Sequence, residues 1–312
     1  MIAADDEKRR SLTQPGFSDG VEVAFGDGQA AIFVTARISI TAARAHDGVS
    51  PAAPALATVL VVVFSGGDVA EVLAQGEIAI DSEEWSELEV AGLRFETVEP
   101  LRTWRVSFNG ERVSFDVELE ATTQPCEAGP NSEIARGGGL EGYEQICRVS
   151  GKATVAAEVH EIACLGQRGH SWGVADWTKI QLARSVGAWI AGDDAVLLSA
   201  VRSTEAVGHA QEATTAWVIK AADEVAAAAV VEDPRLSTSY DSDGRQRRAA
   251  LELWETDDCD RPQRASGLLL CGTTLYLGSP ESQAALRMEC AFFLWRMNGR
   301  SGIGRYDLIR RL

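Results

Sequence analysis

An imidazole, two indoles, a guanidinium and a carboxylate lie within twelve residues near the middle of the chain, in the stretch Gly166–Trp177 (GQRGHSWGVADW). His170 can give or take a proton near neutral pH, and the carboxylate of Asp176 could orient it or act as an acid itself. The faces of Trp172 and Trp177 can stabilise a developing cation. This combination indicates acid/base chemistry on an apolar, electron-rich substrate.

The same residues also fit a purely structural role, because buried aromatic residues usually belong to a core. His170 could be a buried, hydrogen-bonded histidine, with Trp172 and Trp177 packed around it. Arg168 could pair with Asp176 across a turn. Both interpretations stay open at the level of the sequence.

Strand-like patterns flank the stretch on both sides. Residues Lys152 to Leu165 alternate as in a strand, and a second apolar run extends from Lys179 to Ile190. The stretch therefore lies where one strand ends and the next begins. Side chains at such a junction can be aimed into a cavity.

Period-two patterns cover most of the chain and predict an all-β fold. Apolar residues at even positions alternate from Ile32 to Ile40, and Thr58 to Phe64 is a β-branched run closed by two glycines. Helical periodicity is scarce, with at most one turn predicted from Glu281 to Ala285. Further strand-length runs follow the central stretch: Ile180–Ile190, Ala195–Val201, Ala213–Ile219, Val225–Val231, Arg248–Trp254, Gly267–Leu277 and Leu286–Trp295.

The clearest local signal is a β-hairpin. Thr103 to Phe108 and Arg112 to Glu120 are strand-like runs that meet across Asn109-Gly110. Asparagine and glycine both tolerate the positive φ of a type I′ turn, so the sequence predicts a turn of that type at these two residues.

The length of 312 residues predicts two domains of about 150 residues each. We assign residues 1–20 to a polar N-terminal arm, residues 21–165 to a first β domain and residues 166–312 to a second. Closed or nearly closed sheets are expected, because open sheets leave exposed edges. A boundary near Gly166 would place the central stretch at the domain junction, where ligand cavities are common. The long loop Thr122–Gly142 precedes it, and loops of that length are usually functional or mobile.

Charge and composition argue against several classes of partner. A net charge of −17 argues against nucleic acid and anionic membranes. No run is long enough for a transmembrane segment and the charged N terminus has no signal-peptide core, so we expect a cytoplasmic location. Six cysteines without a C-x-x-C pair and four isolated histidines predict neither a disulfide framework nor a metal site. No nucleotide-binding motif is present, so no cofactor is expected.

Two segments carry a resemblance to a known family. Tyr143–Gly151 (YEQICRVSG) and Gly166–Gly173 (GQRGHSWG) resemble the lipocalin-like superfamily of carotenoid 1,2-hydratase and AttH-type proteins, in particular an actinobacterial branch of that group. The likeness extends from about Val21 onward. It includes the hairpin Trp104–Asp116 and the glycine pattern Gly299–Gly304 near the C terminus.

The resemblance implies two tandem lipocalin-like β-barrels or β-sandwiches that enclose an apolar cavity and contain little helix. Members of the superfamily include hydratases that protonate a polyene end and fungal decalin-forming pericyclases that shape a flexible polyene chain. The H-x-W arrangement implicated in hydratase catalysis corresponds to His170 and Trp172. The acidic proton donor of the hydratases has only nominal candidates here, Asp176 and Asp193.

The sequence therefore favours a cofactor-independent lyase or isomerase, a hydratase or cyclase that acts on a hydrophobic polyene, terpenoid or polyketide-like molecule. The predicted catalytic residues are His170, Trp172 and Asp176, and the predicted substrate-binding residues are Arg168, Ser171, Trp177 and Trp189. One rival is a carrier that holds a hydrophobic ligand without chemistry, and another is an accessory protein with a filled interior. An apolar interior, with His170 and Asp176 turned away and paired elsewhere, would favour the carrier.

Overall fold

In a computed structural model the chain forms two compact units of antiparallel β-sheet. Unit 1 comprises Met1–Ala121 and Leu140–Ala175, and unit 2 comprises Thr122–Gly139 and Asp176–Leu312. The prediction of an all-β fold with two β domains and little helix is confirmed. The structure describes residues 2–12, 14–42, 55–80, 84–208, 211–221, 226–256, 261–278 and 285–312, apart from the side chains of Ala42, Glu87 and Ala227.

The described elements are nearly all strands. In chain order they are the 3₁₀ helix η1 (Ala4–Glu7), β1 (Ser18–Asp27), β2 (Ile32–Ala42), β3 (Ala55–Ser65), β4 (Asp68–Ile80), the 3₁₀ helix η2 (Trp85–Glu87), β5 (Glu89–Val90), β6 (Leu93–Glu99), β7 (Thr103–Asn109), β8 (Val113–Ala121), β9 (Cys126–Ala128), α1 (Glu133–Gly138), β10 (Leu140–Val155), β11 (Glu158–Gly173), β12 (Ile180–Ile190), β13 (Asp194–Ser203), β14 (Ala213–Lys220), β15 (Ala227–Val230), β16 (Asp233–Tyr240), β17 (Gln246–Trp254), β18 (Gln263–Leu277), β19 (Leu286–Met297) and β20 (Arg300–Arg311). Among these, no helix is long and apolar enough to span a membrane.

The sheet of unit 1 runs in the order β4-β3-β2-β1-β11-β10-β8-β7-β6-β5. One face of each strand supplies the core, as period-two alternation requires. The predicted alternating run from Ile32 to Ile40 is β2, and its even positions are fully buried in the core cluster. On β8 the core positions are Phe115, Val117 and Leu119.

The β7–β8 hairpin is confirmed, but the predicted type I′ turn at Asn109-Gly110 is wrong. Asn109 belongs to β7 and pairs with Ser114. A longer loop follows, in which the Gly110 N–H donates to the carbonyl of Val113 at 2.9 Å. Neither Asn109 nor Gly110 adopts a positive φ.

A long-range contact explains the longer loop. The carboxylate of Glu71, on edge strand β4, accepts backbone N–H bonds from Glu111, Arg112 and Val113 at 3.0, 2.9 and 2.7 Å. A Cβ on Gly110 would collide with this carboxylate, so the glycine is needed for close approach and not for its φ. The contact joins the edge strand to the loop between β7 and β8, and the sheet curls toward a barrel.

Two predicted boundaries need correction. Gly166 lies inside β11, which pairs with β10 from Glu158 to Gly173, and the division between the units falls after Ala175. The predicted arm at residues 1–20 is part of unit 1, because it contains η1 and the start of β1. The central stretch is therefore divided, with its first ten residues in unit 1 and its last two in unit 2.

The predicted loop Thr122–Gly142 also contains structure. It holds β9 and the short helix α1, which is capped at its N terminus by the Ser132 hydroxyl, the acceptor from Ala135 N at 3.1 Å. Gly139 ends the helix with a left-handed φ of 72°. The helical turn predicted near Glu281 lies almost entirely outside the described residues.

Unit 2 has the sheet order β15-β14-β13-β12-β20-β19-β18-β17-β16. Its core cluster includes Phe293, Trp295 and Tyr306, which are all fully buried. Strand β20 lies so close to β12 that a Cβ on Gly302 or Gly304 would meet the backbone of β12. Strand packing thus requires glycine at 302 and 304, whereas Gly299 adopts a φ of +76° in the turn before β20.

Candidate active site in unit 1

Alternation along β11 turns Arg168 and His170 into the interior of unit 1. His170 is paired with Val21 on β1, and Arg168 is paired with Val23. Both valines belong to the buried core cluster, and directly paired residues share a face of the sheet. On the other side of β11, His170 is paired with Tyr143 of β10. The two predicted residues therefore lie beside the core, next to a tyrosine.

A buried carboxylate holds His170. The Nε2 atom of His170 lies 2.7 Å from Asp19 Oδ1, and both side chains are completely inaccessible to solvent. The second oxygen of Asp19 accepts the backbone N–H of Arg10 at 2.7 Å. On the other side of the ring, Nδ1 is buried and has no hydrogen-bond partner among the described residues. One nitrogen of the imidazole is thus oriented, and the other is left without a hydrogen bond in the described part of the chain.

Aromatic rings surround the imidazole. The ring centroids of Trp172, Tyr143 and Trp85 lie 5.3, 5.9 and 6.1 Å from that of His170, all in edge-on arrangements. The guanidinium of Arg10 lies 4.0 Å above the Trp172 ring, so this indole face already binds a cation. The imidazole ring therefore lies among three aromatic rings, one of which also contacts a guanidinium.

A second polar cluster lies next to the first. Glu7 is the last residue of η1. Its carboxylate accepts hydrogen bonds from Arg168 Nη2 at 2.7 Å, the Tyr143 hydroxyl at 2.6 Å and Trp104 Nε1 at 3.0 Å. The Tyr143 hydroxyl in turn accepts Arg168 Nη1 at 2.6 Å. Thr97 Oγ1 lies 3.5 Å from the same carboxylate. Arg168 and Glu7 are only 3% and 4% exposed, so this is a buried ion pair.

Burial determines the protonation of neighbouring groups. It raises the pKa of Tyr143 well above its usual range, with the nearby Arg168 guanidinium opposing the shift. Tyr143 is therefore a neutral hydrogen-bond donor to Glu7 at physiological pH. Burial also raises the pKa of the Cys147 thiol to about 12, so this cysteine is a packed apolar residue and no nucleophile.

Two predicted site residues have other partners. Asp176 is a surface residue at the start of unit 2, where its carboxylate accepts from the hydroxyl of Thr178 and pairs with Lys179. Those bonds lower its pKa, the Thr178 hydroxyl contributing most. The position expected for Asp176 beside His170 is occupied by Asp19. Ser171 lies on the opposite face of β11 from His170 and accepts from Arg37 Nη2 at 3.4 Å.

The two remaining predicted residues belong to unit 2. Trp177 is half-buried in the turn before β12. Trp189 is buried on β12, where it packs edge-on against Phe292 at 6.2 Å. The core cluster of unit 2 takes its β12 members from the even positions, so Trp189 is on the other strand face. Trp189 therefore does not face the core cluster of unit 2.

Sequence reasoning missed Glu7, Asp19, Trp85 and Trp104 as site residues. Asp19 had a readable signal, because it alternates in step with Val21 and the other inward residues of β1. Glu7 had none, since it lies in a polar segment without periodicity. Among the described residues, no group of three or more His, Cys, Asp or Glu is placed to hold a metal.

Comparison with known proteins places the chain in a family and a fold. Residues 3–310 match the family described as Domain of unknown function (DUF7064). No curated protein sequence matches the chain.

Several solved structures share the fold over nearly the full length. An AttH-like protein, NE1406 from Nitrosomonas europaea, has a TM-score of 0.69 at 12% identity, over 96% of this chain and 94% of its own. Kievitone hydratase from Nectria haematococca has a TM-score of 0.63 at 11% identity, over 99% and 93%. CghA has a TM-score of 0.60 at 13% identity, over 97% and 94%, and another CghA structure contains Sch210972. The resemblance drawn from the sequence is confirmed at the level of fold, and both units are lipocalin-like β domains.

Proposed function

The chain belongs to the DUF7064 family, and from the geometry of unit 1 we propose that it is an enzyme acting on a hydrophobic small molecule rich in C=C bonds. One observation carries the proposal. His170 is buried, its Nε2 is held by Asp19, and its Nδ1 has no partner among the described residues. A positioned imidazole with one available nitrogen, enclosed by aromatic rings, is an arrangement suited to proton transfer on an apolar substrate.

The carboxylate determines how the imidazole works. Asp19 accepts from Nε2–H, so the neutral ring presents a lone pair at Nδ1 and acts as a base. After it has taken a proton, the same nitrogen acts as an acid, and Asp19 stabilises the imidazolium. One group can therefore remove a proton from one carbon or water and return it to another.

The strength of this acid limits the reaction. Imidazolium is too weak to protonate an isolated alkene, whereas a C=C bond conjugated with a carbonyl can be hydrated or isomerised through an enolate-like intermediate. Cyclisation requires no strong acid, because a cavity wall that shapes the substrate and one hydrogen bond to it are sufficient. Trp172, Trp85 and Tyr143 supply an aromatic wall beside the imidazole. We therefore propose hydration, isomerisation or cyclisation of an activated C=C bond, a reaction of the lyase or isomerase kind without a cofactor.

The similar structures support this class of reaction by their names alone. One of them is named a hydratase, and another contains a bound small molecule. At 11–13% identity these likenesses establish the fold and transfer no residue roles.

The second candidate is a carrier of a hydrophobic ligand. It is favoured by the pairing of Arg168 with Glu7, which leaves the charges of that cluster mutually satisfied. The available Nδ1 of His170 favours the enzyme, because a ligand-holding wall does not need an oriented imidazole. The two candidates differ in whether the bound molecule is changed.

His170→Gln separates the two. The protein is incubated with a hydrophobic extract of its native cells, the compound that co-purifies is identified, and its conversion is followed. Glutamine keeps one neutral hydrogen bond, so unfolding free energy should change by only about 1–2 kcal/mol, while turnover should fall about a hundredfold. His160→Gln, on the same strand, is the matched control. Unchanged turnover per folded molecule in His170→Gln would contradict the enzyme proposal.

A further inference from the structure

Glu7 enters the interior of unit 1 from a segment that is otherwise superficial. Glu7 is the buried residue of the four-residue helix η1, whose neighbour Asp5 is exposed. Its carboxylate meets donors from three different strands, Trp104 on β7, Tyr143 on β10 and Arg168 on β11. These strands would present the same three donors to any carboxylate at this position.

The rest of the segment covers the same region. The backbone N–H of Arg10 binds Asp19, the partner of His170, and its guanidinium covers Trp172. Leu12 packs against the edge of the core cluster. Residues 7–12 therefore present a carboxylate to the donors, a guanidinium to Trp172 and an apolar side chain to the core of unit 1, one after the other.

We infer that Arg168, Tyr143 and Trp104 form a carboxylate-binding subsite that Glu7 occupies, and that the ligand of unit 1 is a hydrophobic carboxylic acid that takes the place of the N-terminal segment. The ligand's carboxylate replaces that of Glu7, and its chain follows the path of residues 8–12 along Trp172. This inference rests on the proposed function for the presence of a hydrophobic small-molecule ligand.

The donor set is selective for an anion. Arg168 is 3% exposed and, without Glu7, would be a buried cation lacking its carboxylate partner. Such a charge is strongly unfavourable, so an incoming carboxylate is stabilised by restoring the pair. An ester or alcohol of the same length cannot do so. The selectivity arises locally, in a protein whose overall charge of −17 repels anions.

The subsite also lies next to the proton-transfer group. The Tyr143 hydroxyl donates to the carboxylate of Glu7, and the ring of the same tyrosine lies 5.9 Å from that of His170. A bound carboxylate and the imidazole of His170 would thus both adjoin the same tyrosine.

Binding of a polyene acid and its ester tests the inference. cis-Parinaric acid and its methyl ester are titrated by fluorescence into the wild type, Glu7→Ala, the double variant Glu7→Ala/Arg168→Gln, and the control Asp5→Ala. Glu7→Ala should bind the acid more tightly than the wild type does, and more tightly than the ester by about tenfold or more. The double variant should lose this preference, and Asp5→Ala should behave as the wild type.

A second measurement uses acetate as the probe. Acetate should raise the melting temperature of Glu7→Ala more than chloride does at equal ionic strength, and should have no such effect on the wild type. If Glu7→Ala does not fold, Glu7→Gln is used, because it removes the competing charge but keeps an acceptor for Tyr143 and Trp104.

Equal affinity of acid and ester in the Glu7 variant would overturn the inference, as would binding of neither probe or a preference for the acid that persists without Arg168. These results are independent of turnover. Failure of the proposed function would appear instead as unchanged turnover in His170→Gln, with the preference for the acid intact.

Discussion

Replacing Asp19 by asparagine is expected to move the ring proton of His170 from Nε2 to Nδ1. One oxygen of Asp19 lies 2.7 Å from Nε2, and the other accepts the backbone N–H of Arg10 at 2.7 Å. A carboxamide has one acceptor and one donor end. Because the Arg10 N–H needs the oxygen, the amide NH₂ must face Nε2, and that nitrogen must then carry a lone pair.

The magnitudes follow from these two hydrogen bonds. Asparagine keeps both contacts and loses the carboxylate charge, so the free energy of unfolding should fall by about 1–2 kcal/mol. Catalysis should suffer far more, because Nδ1 becomes a donor in the neutral ring and can no longer accept a proton. In serine proteases the corresponding wrong tautomer slows turnover about 10⁴-fold, and a loss of that order is expected here.

Imidazole ¹⁵N NMR provides the assay. The chain has four histidines, and the spectrum of His170→Gln identifies the signals of His170 by their absence. At a pH where the ring is neutral, the wild type should show the proton on Nε2 and Asp19→Asn should show it on Nδ1. The same tautomer in both proteins would contradict the role assigned to Asp19, and so would normal turnover in a folded Asp19→Asn variant.

Three further predictions follow from packing and burial. Gly110→Ala should lower the free energy of unfolding by about 1–3 kcal/mol in urea, since its Cβ would collide with the Glu71 carboxylate; an unchanged midpoint would contradict this. Burial raises the pKa of Cys147 from 9.0 to about 12, so the unfolded chain loses this proton first and stability should fall as pH rises from about 9 to 12. In Cys147→Ala this fall should be shallower by up to about 1 kcal/mol per pH unit, and equal falls in both proteins would refute the prediction. Trp172→Phe should weaken the cation–π contact with Arg10 by about 1 kcal/mol and speed trypsin cleavage within residues 8–10; an unchanged cleavage rate would argue against this anchoring.

Local alternation made part of the site predictable. Arg168, His170 and Trp172 are spaced by two residues on one strand, and such residues share a face. The same rule places Ser171 on the opposite face, so its assignment to the site was avoidable once the strand was extended through Gly173. The all-β class followed from the same period-two patterns.

The partners of these residues could not be predicted from local patterns. Asp19 lies 151 residues from His170 in the chain, and Glu7 lies 161 residues from Arg168. Only the pairing of β1 with β11 brings Asp19 close, and only the folding of η1 against the sheet brings Glu7 in. Asp176 is close to His170 in the sequence, but it belongs to unit 2 and binds Thr178 and Lys179 instead.

The β7–β8 turn shows how a distant contact can override a strong local preference. Asn109-Gly110 favours a two-residue turn, but the three N–H groups that follow are satisfied by Glu71 on a strand far away in the sequence. Three hydrogen bonds to a carboxylate outweigh the small conformational preference of one turn type. A sequence window that contains only the hairpin has no access to this contact.

Deuterium incorporation is the most direct test of the central claim that His170 transfers protons on a hydrophobic substrate. The wild type and His170→Gln are incubated in D₂O with the hydrophobic extract, and the compounds are compared by mass spectrometry. We expect the wild type to yield a compound that has gained D₂O across a C=C bond or exchanged a carbon-bound hydrogen for deuterium. His170→Gln should yield about a hundredfold less of it. Recovery of the bound compound unchanged and without deuterium, or equal incorporation by both proteins, would contradict proton transfer by His170. A rearranged product without deuterium would leave only the cyclisation, which needs no proton transfer.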